Sequence, residues 1–411
     1  MTKGLLAYRV VELGCLEAAA YCGKLFAEFG AEVLKVEPAG GDPLRSTPPF
    51  VDRGGGAMES ALAGWLSTNK QSVVLENGAS GAATLEALLG ASDLLIDAGE
   101  PVTAAARRAA WRHAHPHLSI VSLSWFGESG PYRDFQGADS VARALAGLVK
   151  LTGPVEGPPI LLNDHQASVY AGLTAYTAAL SALYSSRPRG FEISVLESSV
   201  VLAEFQATLR YCPLAVEKRV GVNKFHPTYP LGVYRCREGW LGVTVGHLDQ
   251  WATFCDMLDM PEIHSDLRFQ TRFGRSSHMG ELDGVIGERL KSKTAQEWFE
   301  LALQRRVCLV VVPDMAELLA QEVHRERGAF SRVQVGESFF EGPTAPLHLT
   351  LTPPLRDGQA PAVGEHNEQI LAGILGLSSA EIADLRARGI VGDRGLPRKL
   401  RSAGREEKKT R

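Results

Sequence analysis

Residues 8 to 37, YRVVELGCLEAAAYCGKLFAEFGAEVLKVE, hold an apolar run, an amphipathic stretch at helical spacing and a second apolar run. Gly30 falls where the helix has to end, because glycine takes the left-handed conformation of a helix C-terminus without steric cost. Strand, helix, strand with short connections is the βαβ unit of a parallel sheet. The chain therefore opens as an α/β fold. Dinucleotide binding in such a unit needs Gly-x-Gly-x-x-Gly after the first strand, so that the backbone can approach a pyrophosphate. Here ELGCLEAAA supplies Gly14 followed by bulkier residues, which disfavours NAD.

Working outward, QSVVLE (71–76), SDLLID (92–97) and LSIVSLSWFG (118–127) are strand-like runs separated by helical patterns, and they extend one sheet to about residue 125. Residues 140–150 and 166–184 are helical in pattern. The second of these is rich in Ala and Gly with little charge, so it has to be buried against close neighbours. Around KFHPTYPLGVYRCREGWLGVTVG (224–246) the texture changes to short aromatic strands with turns, followed by helices such as TAQEWFELALQRR (294–306). This is expected to be a second, smaller α+β domain. His226, Tyr229 and Tyr234 either fill its core, the better reading for aromatics in short strands, or face a ligand. Residues 342–391 give a Pro-rich crossing segment and two helices, the second starting at the caps SSAE. The expected division is 1–205 and 331–396 for a large domain, 206–330 for a linker and small domain, and 397–411 for a solvated tail with seven basic and two acidic residues.

At 411 residues the chain is too long for one ordinary core. Hydrophobic residues make up 45%, charged residues 22%, and the formal net charge is −4, which places no electrostatic demand for nucleic acid. No stretch approaches the roughly 20 apolar residues of a membrane span, and the opening MTKGLLAYRVVELG lacks a signal-peptide pattern, so a cytoplasmic protein is expected. The six cysteines are scattered without a C-x-x-C pair and are expected to be reduced and mostly buried. RHAHPH (112–117) reads as a surface turn broken by proline, and no metal is expected.

Asp164, in LLND before the Ala-rich helix, has two readings. An Asp at that point accepts hydrogen bonds from the free first-turn N–H groups and meets the positive end of the helix dipole, so spacing alone favours a cap. A reactive carboxylate in the same place stays open.

Four stretches, in order, resemble the class III CoA-transferase family, also called CaiB/BaiF or formyl-CoA transferase-like and related to α-methylacyl-CoA racemase. They are VVELGCLEAAAYCGKLFAEFGAEVLKVEPAGGDPLR (10–45), STNKQSVVLE (67–76), WFGESGPYRDFQGADSVARALAGL (125–148) and APAVGEHNEQIL (360–371). The resemblance implies a large Rossmann-like domain built from both ends of the chain, a small domain between, and a ring-shaped chain that interlocks with a second copy in a homodimer. Asp164 falls where the family has its catalytic aspartate. The implied reaction passes CoA from an acyl-CoA donor to a carboxylic acid acceptor through an aspartyl-CoA thioester, without ATP or metal. Arg45, Asn69 and Lys70 match family positions that line or support the CoA site. Gly14, Cys15 and Leu16, in the loop after the first strand, are further candidates there, and together with the helix start near His165 and Gln166 they are sources of N–H donors for an oxyanion.

The chain departs from the family pattern in three places. LIDAGEP puts Ala98 and Glu100 where many relatives carry an Asn and an Arg, and VNKFHPTYPLG replaces a glycine-rich lid. Ala138 stands where the racemase branch has a histidine, so a racemase would lack one of its two bases; His247 and Asp249 lie near where that branch has an accessory acid. A CoA-binding partner subunit without turnover is the remaining alternative.

Overall fold

Val10 and Val11 are neighbours on one strand, both fully buried, and they belong to different hydrophobic clusters. Side chains alternate along a strand, so a strand covered on both faces reads as an unbroken apolar run. The structure is a computed structural model that describes residues 7–54, 58–76, 79–99, 101–150, 152–163, 165–185, 187–212, 219–224 and 228–392. Asp164, Glu100, His226 and the basic tail lie outside the described residues.

The chain forms two units, one from Met1–Leu148, Asn163–Ala203 and Gly328–Arg411, the other from Val149–Leu162 and Glu204–Arg327. The first unit begins with β1 (Arg9–Gly14), α1 (Glu17–Glu28) and β2 (Glu32–Glu37), the βαβ unit expected from residues 8–37. It continues with β3 (Phe50–Asp52), β4 (Met58–Ser60), α2 (Ala61–Ser67), β5 (Gln71–Val74), α3 (Ala79–Gly90), β6 (Leu94–Ala98), α4 (Pro101–Ala114) and β7 (Ser119–Ser124). After α5 (Asp139–Leu145) and α6 (Gln166–Tyr184) comes β8 (Gly190–Ser194). Six strands form one parallel sheet in the order β5-β2-β1-β6-β7-β8. On one face α1 and α6 pack through Ala18, Cys22, Phe26, Ala171 and Ala175; on the other, α3 and α4 pack through Leu88, Leu89 and Trp111.

Two local features differ from expectation. β8, sequence GFEIS, adds a sixth strand that its glycine and glutamate disguise. The helix expected over 140–150 stops at Leu145, because Gly147 takes φ +82° and the N–H groups of Gly147 and Leu148 turn back to the carbonyls of Ala144 and Arg143. That pair of bonds is a Schellman closure.

The C-terminal part of this unit is tied to the sheet edge. Helix Asn367–Gly373 is anchored by Asn367, whose Oδ1 accepts from the N–H of Val74 at 2.8 Å and whose Nδ2 donates to the carbonyl of Gly392 at 2.8 Å. Helix Ser379–Ala387 starts with the capping box read from SSAE, between Ser378 and Glu381. Leu75 and Val391 form an antiparallel bridge.

The second unit has an antiparallel sheet of Leu231–Arg235, Trp240–Thr244 and Cys308–Val311 over a core that includes Trp251, Phe254, Phe269 and Trp298. Tyr229 and Tyr234 lie in that core, and both hydroxyls donate to Asp283 Oδ1, at 2.7 and 3.0 Å. Burial pushes both phenols well above their ordinary range. His247 caps helix Leu248–Met257, with Asp249 in its first turn. Among the cysteines, Cys22, Cys236 and Cys255 are buried, but Cys15, Cys212 and Cys308 are exposed, so burial is less general than expected. RHAHPH is not all turn either: Arg112 and His113 complete the last turn of α4, and His115 Nε2 meets Glu86 Oε1 at 2.7 Å. Among the described residues no helix is long and apolar enough to cross a membrane, and no group of three His, Cys, Asp or Glu could hold a metal ion.

Candidate active site

In an open parallel sheet, ligands bind beyond the carboxyl ends of the strands where the order of connection reverses. Here that point lies between β1 and β6. Gly14 ends β1 with φ +96°, and a Cβ there would stand 2.7 Å from the carbonyl carbon and oxygen of Ala98, so only glycine lets the two strand ends approach this closely. Cys15 and Leu16 follow directly, and Leu16 is the N-cap of α1. Gly14, Cys15 and Leu16 thus sit at the switch point. Behind the end of β6, Asp97 is buried and accepts from Arg108 Nη1 at 2.7 Å and from the N–H of Gly99 at 3.0 Å.

α6 reaches the same end of the sheet because it lies tightly on α1. Gly172 makes this possible: a Cβ would stand 2.6 Å from the Ala18 carbonyl oxygen and 3.1 Å from Tyr21 Cβ. The docking brings the first turn of α1 to the first turn of α6, where Glu17 Oε2 meets His165 Nδ1 at 2.8 Å. The helix starts at Gln166 with His165 as its N-cap, one residue later than a cap at Asp164 requires. His165 has φ +72° and makes no side-chain cap bond. From α5, Asp139 Oδ2 accepts the N–H of Ser168 at 2.9 Å, while its other oxygen meets Arg143 Nε at 2.8 Å. Ser168 Oγ is buried without a hydrogen-bond partner. Ala138, at the racemase position, is the N-cap of α5 and brings no side-chain bond.

Arg45 and Lys70 sit in a buried ionic network that joins three of the four stretches carrying the resemblance. Arg45 grips Glu37 through Nε and Nη2, at 2.7 and 2.8 Å, and donates to Glu59 Oε1 at 2.8 Å and to the Pro361 carbonyl at 3.1 Å. Ser72 Oγ donates to Glu37 Oε1 at 2.5 Å and accepts from the N–H of Gly364 at 2.9 Å. Burial works against the charge on Glu37, but Arg45 and then Lys35 outweigh it and hold the carboxyl at about 2. Lys70 donates to Glu12 Oε2 at 2.6 Å and to the Ala20 carbonyl at 2.7 Å, and Lys35 takes the other oxygen of Glu12 at 2.8 Å. Burial pulls Lys70 down to about 8 although Glu12 pulls the other way. Asn69 takes φ +63° and donates its N–H to the Gln359 carbonyl at 3.2 Å. Arg45 and Lys70 therefore present no bare cation to a phosphate.

An apolar groove of about 730 Å³ lined by Ala87, Leu377, Leu385 and Ile390 lies on α3 and helix Ser379–Ala387. α3 covers the opposite face of the sheet from α6, so the groove is separate from the Glu17–His165 contact.

A model of CoA-transferase family III matches residues 5–367. The chain belongs to that family. Among class III enzymes, the succinyl-CoA–D-citramalate CoA-transferase of Chloroflexus aurantiacus is 28% identical over 398 residues, covering 93% of this chain and 97% of that protein. The succinate–glutarate CoA-transferase of Agrobacterium fabrum is 27% identical over 383 residues, covering 90% and 95%. A CaiB/BaiF family protein from Brucella suis superposes with a TM-score of 0.81 over 91% of this chain and all of that one, at 22% identity, and so shares the fold. The chain is an enzyme, a class III CoA-transferase, and its relatives take CoA thioesters as substrates.

Of the residues expected at a class III site, Gly14, Cys15 and Leu16 lie at the switch point, and Arg45 and Lys70 are taken up by the buried ionic network. Asp164 is outside the described residues, but its neighbour His165 is held against the start of α1. Glu17 and Asp139 had no place in the sequence reading. Each is an acid in the first turn of a helix, a common pattern wherever a carboxylate meets a helix dipole. The one available hint was that both lie inside stretches carrying the family resemblance.

Proposed function

We propose that this enzyme moves CoA from an acyl-CoA thioester to a free carboxylic acid by way of an aspartyl-CoA thioester on Asp164. The observation that carries this is the abutment of the α6 start on the switch point through His165 and Glu17. In the first step a carboxylate oxygen of Asp164 attacks the thioester carbonyl, a C–O bond forms, the C–S bond breaks, and CoA leaves as thiolate. The thiolate then attacks the Asp164 acyl carbon of the mixed anhydride, releasing the donor acid and leaving CoA on the enzyme. The acceptor carboxylate repeats these steps in reverse. Thioester energy is conserved throughout, because each bond broken is replaced by one of similar energy.

A carboxylate is a weak nucleophile, so the developing oxyanion needs fixed donors in a site shielded from water. First-turn N–H groups of a helix have no partner within it, and those at the α6 start carry the positive end of a 19-residue dipole. The Ser168 N–H is taken by Asp139, so those of Gln166 and Ala167, with the N–H of Leu16, form the donor set. CoA is proposed to lie across the ends of β1 and β6, with Gly14 giving the close approach and Arg45, Asn69 and Lys70 supporting the loops from below. Because Ala98 and Glu100 stand where many relatives carry an Asn and an Arg, that loop brings no cation, and backbone groups carry more of the nucleotide's recognition. Two chains are proposed to interlock; Leu173 and Tyr184 on α6 and Val200 and Val201 are exposed apolar side chains that suit a covered surface.

Succinyl-CoA is the first donor to offer, since relatives bear it in their names. Incubation with succinyl-CoA and hydroxylamine, followed by peptide mass mapping, is expected to find a hydroxamate on Asp164 and loss of activity. Exchange that continues undiminished in Asp164→Ala, in folded protein, overturns the proposal. Deuterium entering the α-carbon from heavy water without any acceptor acid would instead mark proton exchange as the chemistry.

A further inference from the structure

We propose that Glu17 is a positioning residue: by holding His165 in a left-handed backbone conformation, it fixes the turn by which the chain enters α6 directly after the proposed nucleophile. The inference rests on the reading of Asp164 as the nucleophile. Helix N-caps normally have extended backbone and a side-chain oxygen that accepts a first-turn N–H. His165 has neither, with φ +72°, ψ −3° and no side-chain cap bond. For a residue with a Cβ, that conformation is disfavoured by about tenfold or more, and such outliers persist only where surrounding contacts hold them.

Two contacts hold this one. Glu17 Oε2 fixes the imidazole at Nδ1, 2.8 Å away. Asp139 Oδ2 fixes the far side of the same turn through the N–H of Ser168 at 2.9 Å. Neither acid sits on a loose support. Glu17 opens α1, which is pressed onto α6 at Gly172, and Asp139 is buried and paired with Arg143. Changing the sign of φ at His165 would redirect the peptide that enters α6, and the proposed nucleophile is the residue directly before it in the chain. A misplacement of about 1 Å at a reacting group can lower a rate by about a hundredfold. Glu17 therefore acts on the reaction through His165 and not by contact with the reacting atoms.

The test is a double-mutant cycle between Glu17→Ala and His165→Gly, read as CoA exchange between succinyl-CoA and an acceptor acid, with thermal unfolding measured in parallel. Glycine takes the left-handed conformation unaided, so it removes the need for the acid. Glu17→Ala in the natural background is expected to lower kcat about 10- to 100-fold with KM for acyl-CoA within about twofold. In the His165→Gly background the same substitution is expected to lower kcat by less than about threefold. Glu17→Gln, which keeps a hydrogen-bonding group, is expected to retain most of the rate. A loss of equal size in both backgrounds would show Glu17 acting independently of His165 and overturn the inference. So would an unchanged kcat with a lowered melting temperature, which marks a merely structural pair. Failure of the Asp164 reading has a separate signature, exchange surviving in Asp164→Ala, and leaves the coupling of Glu17 to His165 measurable.

Discussion

Replacing Glu12 by glutamine should give a loss of stability that shrinks as pH rises. Glu12 meets two ammonium groups, and the two depend on it unequally. Lys35 keeps Asp42 Oδ2 at 2.5 Å when Glu12 loses its charge, whereas the other described hydrogen bond of Lys70 runs to the neutral Ala20 carbonyl. Burial already holds Lys70 at about 8, against an ordinary 10.5. At 1.36 kcal/mol per pH unit the fold bears about 3 kcal/mol to keep this lysine charged, and about 1 kcal/mol more separates it from neutrality at pH 7. A folded pKa below the unfolded one means that between about 8 and 10.5 the unfolded chain holds a proton the folded chain lacks, so stability rises with pH across that window. Without Glu12 the window opens lower, because the one charge that raised the pKa is gone. Lys70 then escapes its unpaired state by shedding the proton. Its share of the loss is capped at about 1 kcal/mol near pH 7, reaches about 3 kcal/mol near pH 6, and vanishes above about pH 9, where both proteins hold a neutral lysine. Burial opposes the charge on Lys35, but Asp42 and Glu12 raise its pKa above the ordinary range, so it stays charged and adds an offset that does not vary with pH. Urea unfolding followed by tryptophan fluorescence, for both proteins between about pH 6 and pH 9, measures the difference. A difference that stays flat across that range refutes the reasoning.

Gly172→Ala pits helix propensity, which favours alanine by about 1 kcal/mol, against a Cβ 2.6 Å from the Ala18 carbonyl oxygen. The neighbour is backbone and cannot swing aside, so a net loss of about 1–3 kcal/mol in thermal unfolding is expected; a raised melting temperature would mean that α1 and α6 are not held this closely. Arg45→Lys gives up the two-pronged grip on Glu37 and the bond to Glu59, and is expected to lower stability by about 3 kcal/mol while KM for acyl-CoA changes less than about twofold. Intact stability with a tenfold rise in KM would put Arg45 on the nucleotide instead.

The parallel sheet was legible because burial on both faces leaves apolar runs such as VVEL and LLID, and because SSAE states its capping box in four letters. The span of α6 was legible from its Ala-rich, uncharged pattern. β8 was not, since an edge strand with one face exposed keeps polar residues. The αL start of α6 was hidden because nothing in the letters of His165 demands φ > 0, and the cap reading of Asp164 pointed away from His165 as the N-cap. Glu17 and His165 are 148 positions apart in the chain, and their meeting depends on Gly172 admitting α1. Arg45 shows the same limit from the other side. A cation after GGD suits a phosphate equally well as it suits Glu37 and Glu59, and only the fold decides which it finds.

The sheet edge at β5 is completed by residues near the far end of the polypeptide: His366 donates its N–H to the Ser72 carbonyl, Asn367 closes onto Val74, and Glu76 bonds Ile390. A ribosome adding about 5–20 residues per second needs on the order of ten seconds or more to reach them after β5 has emerged. For that interval nascent β5 offers an unpaired backbone and bare apolar side chains to any other strand nearby. The interposed residues 204–327, which have their own core, can fold during the wait. Translation speed and chaperone cover should therefore govern the yield of this protein more than its final stability does.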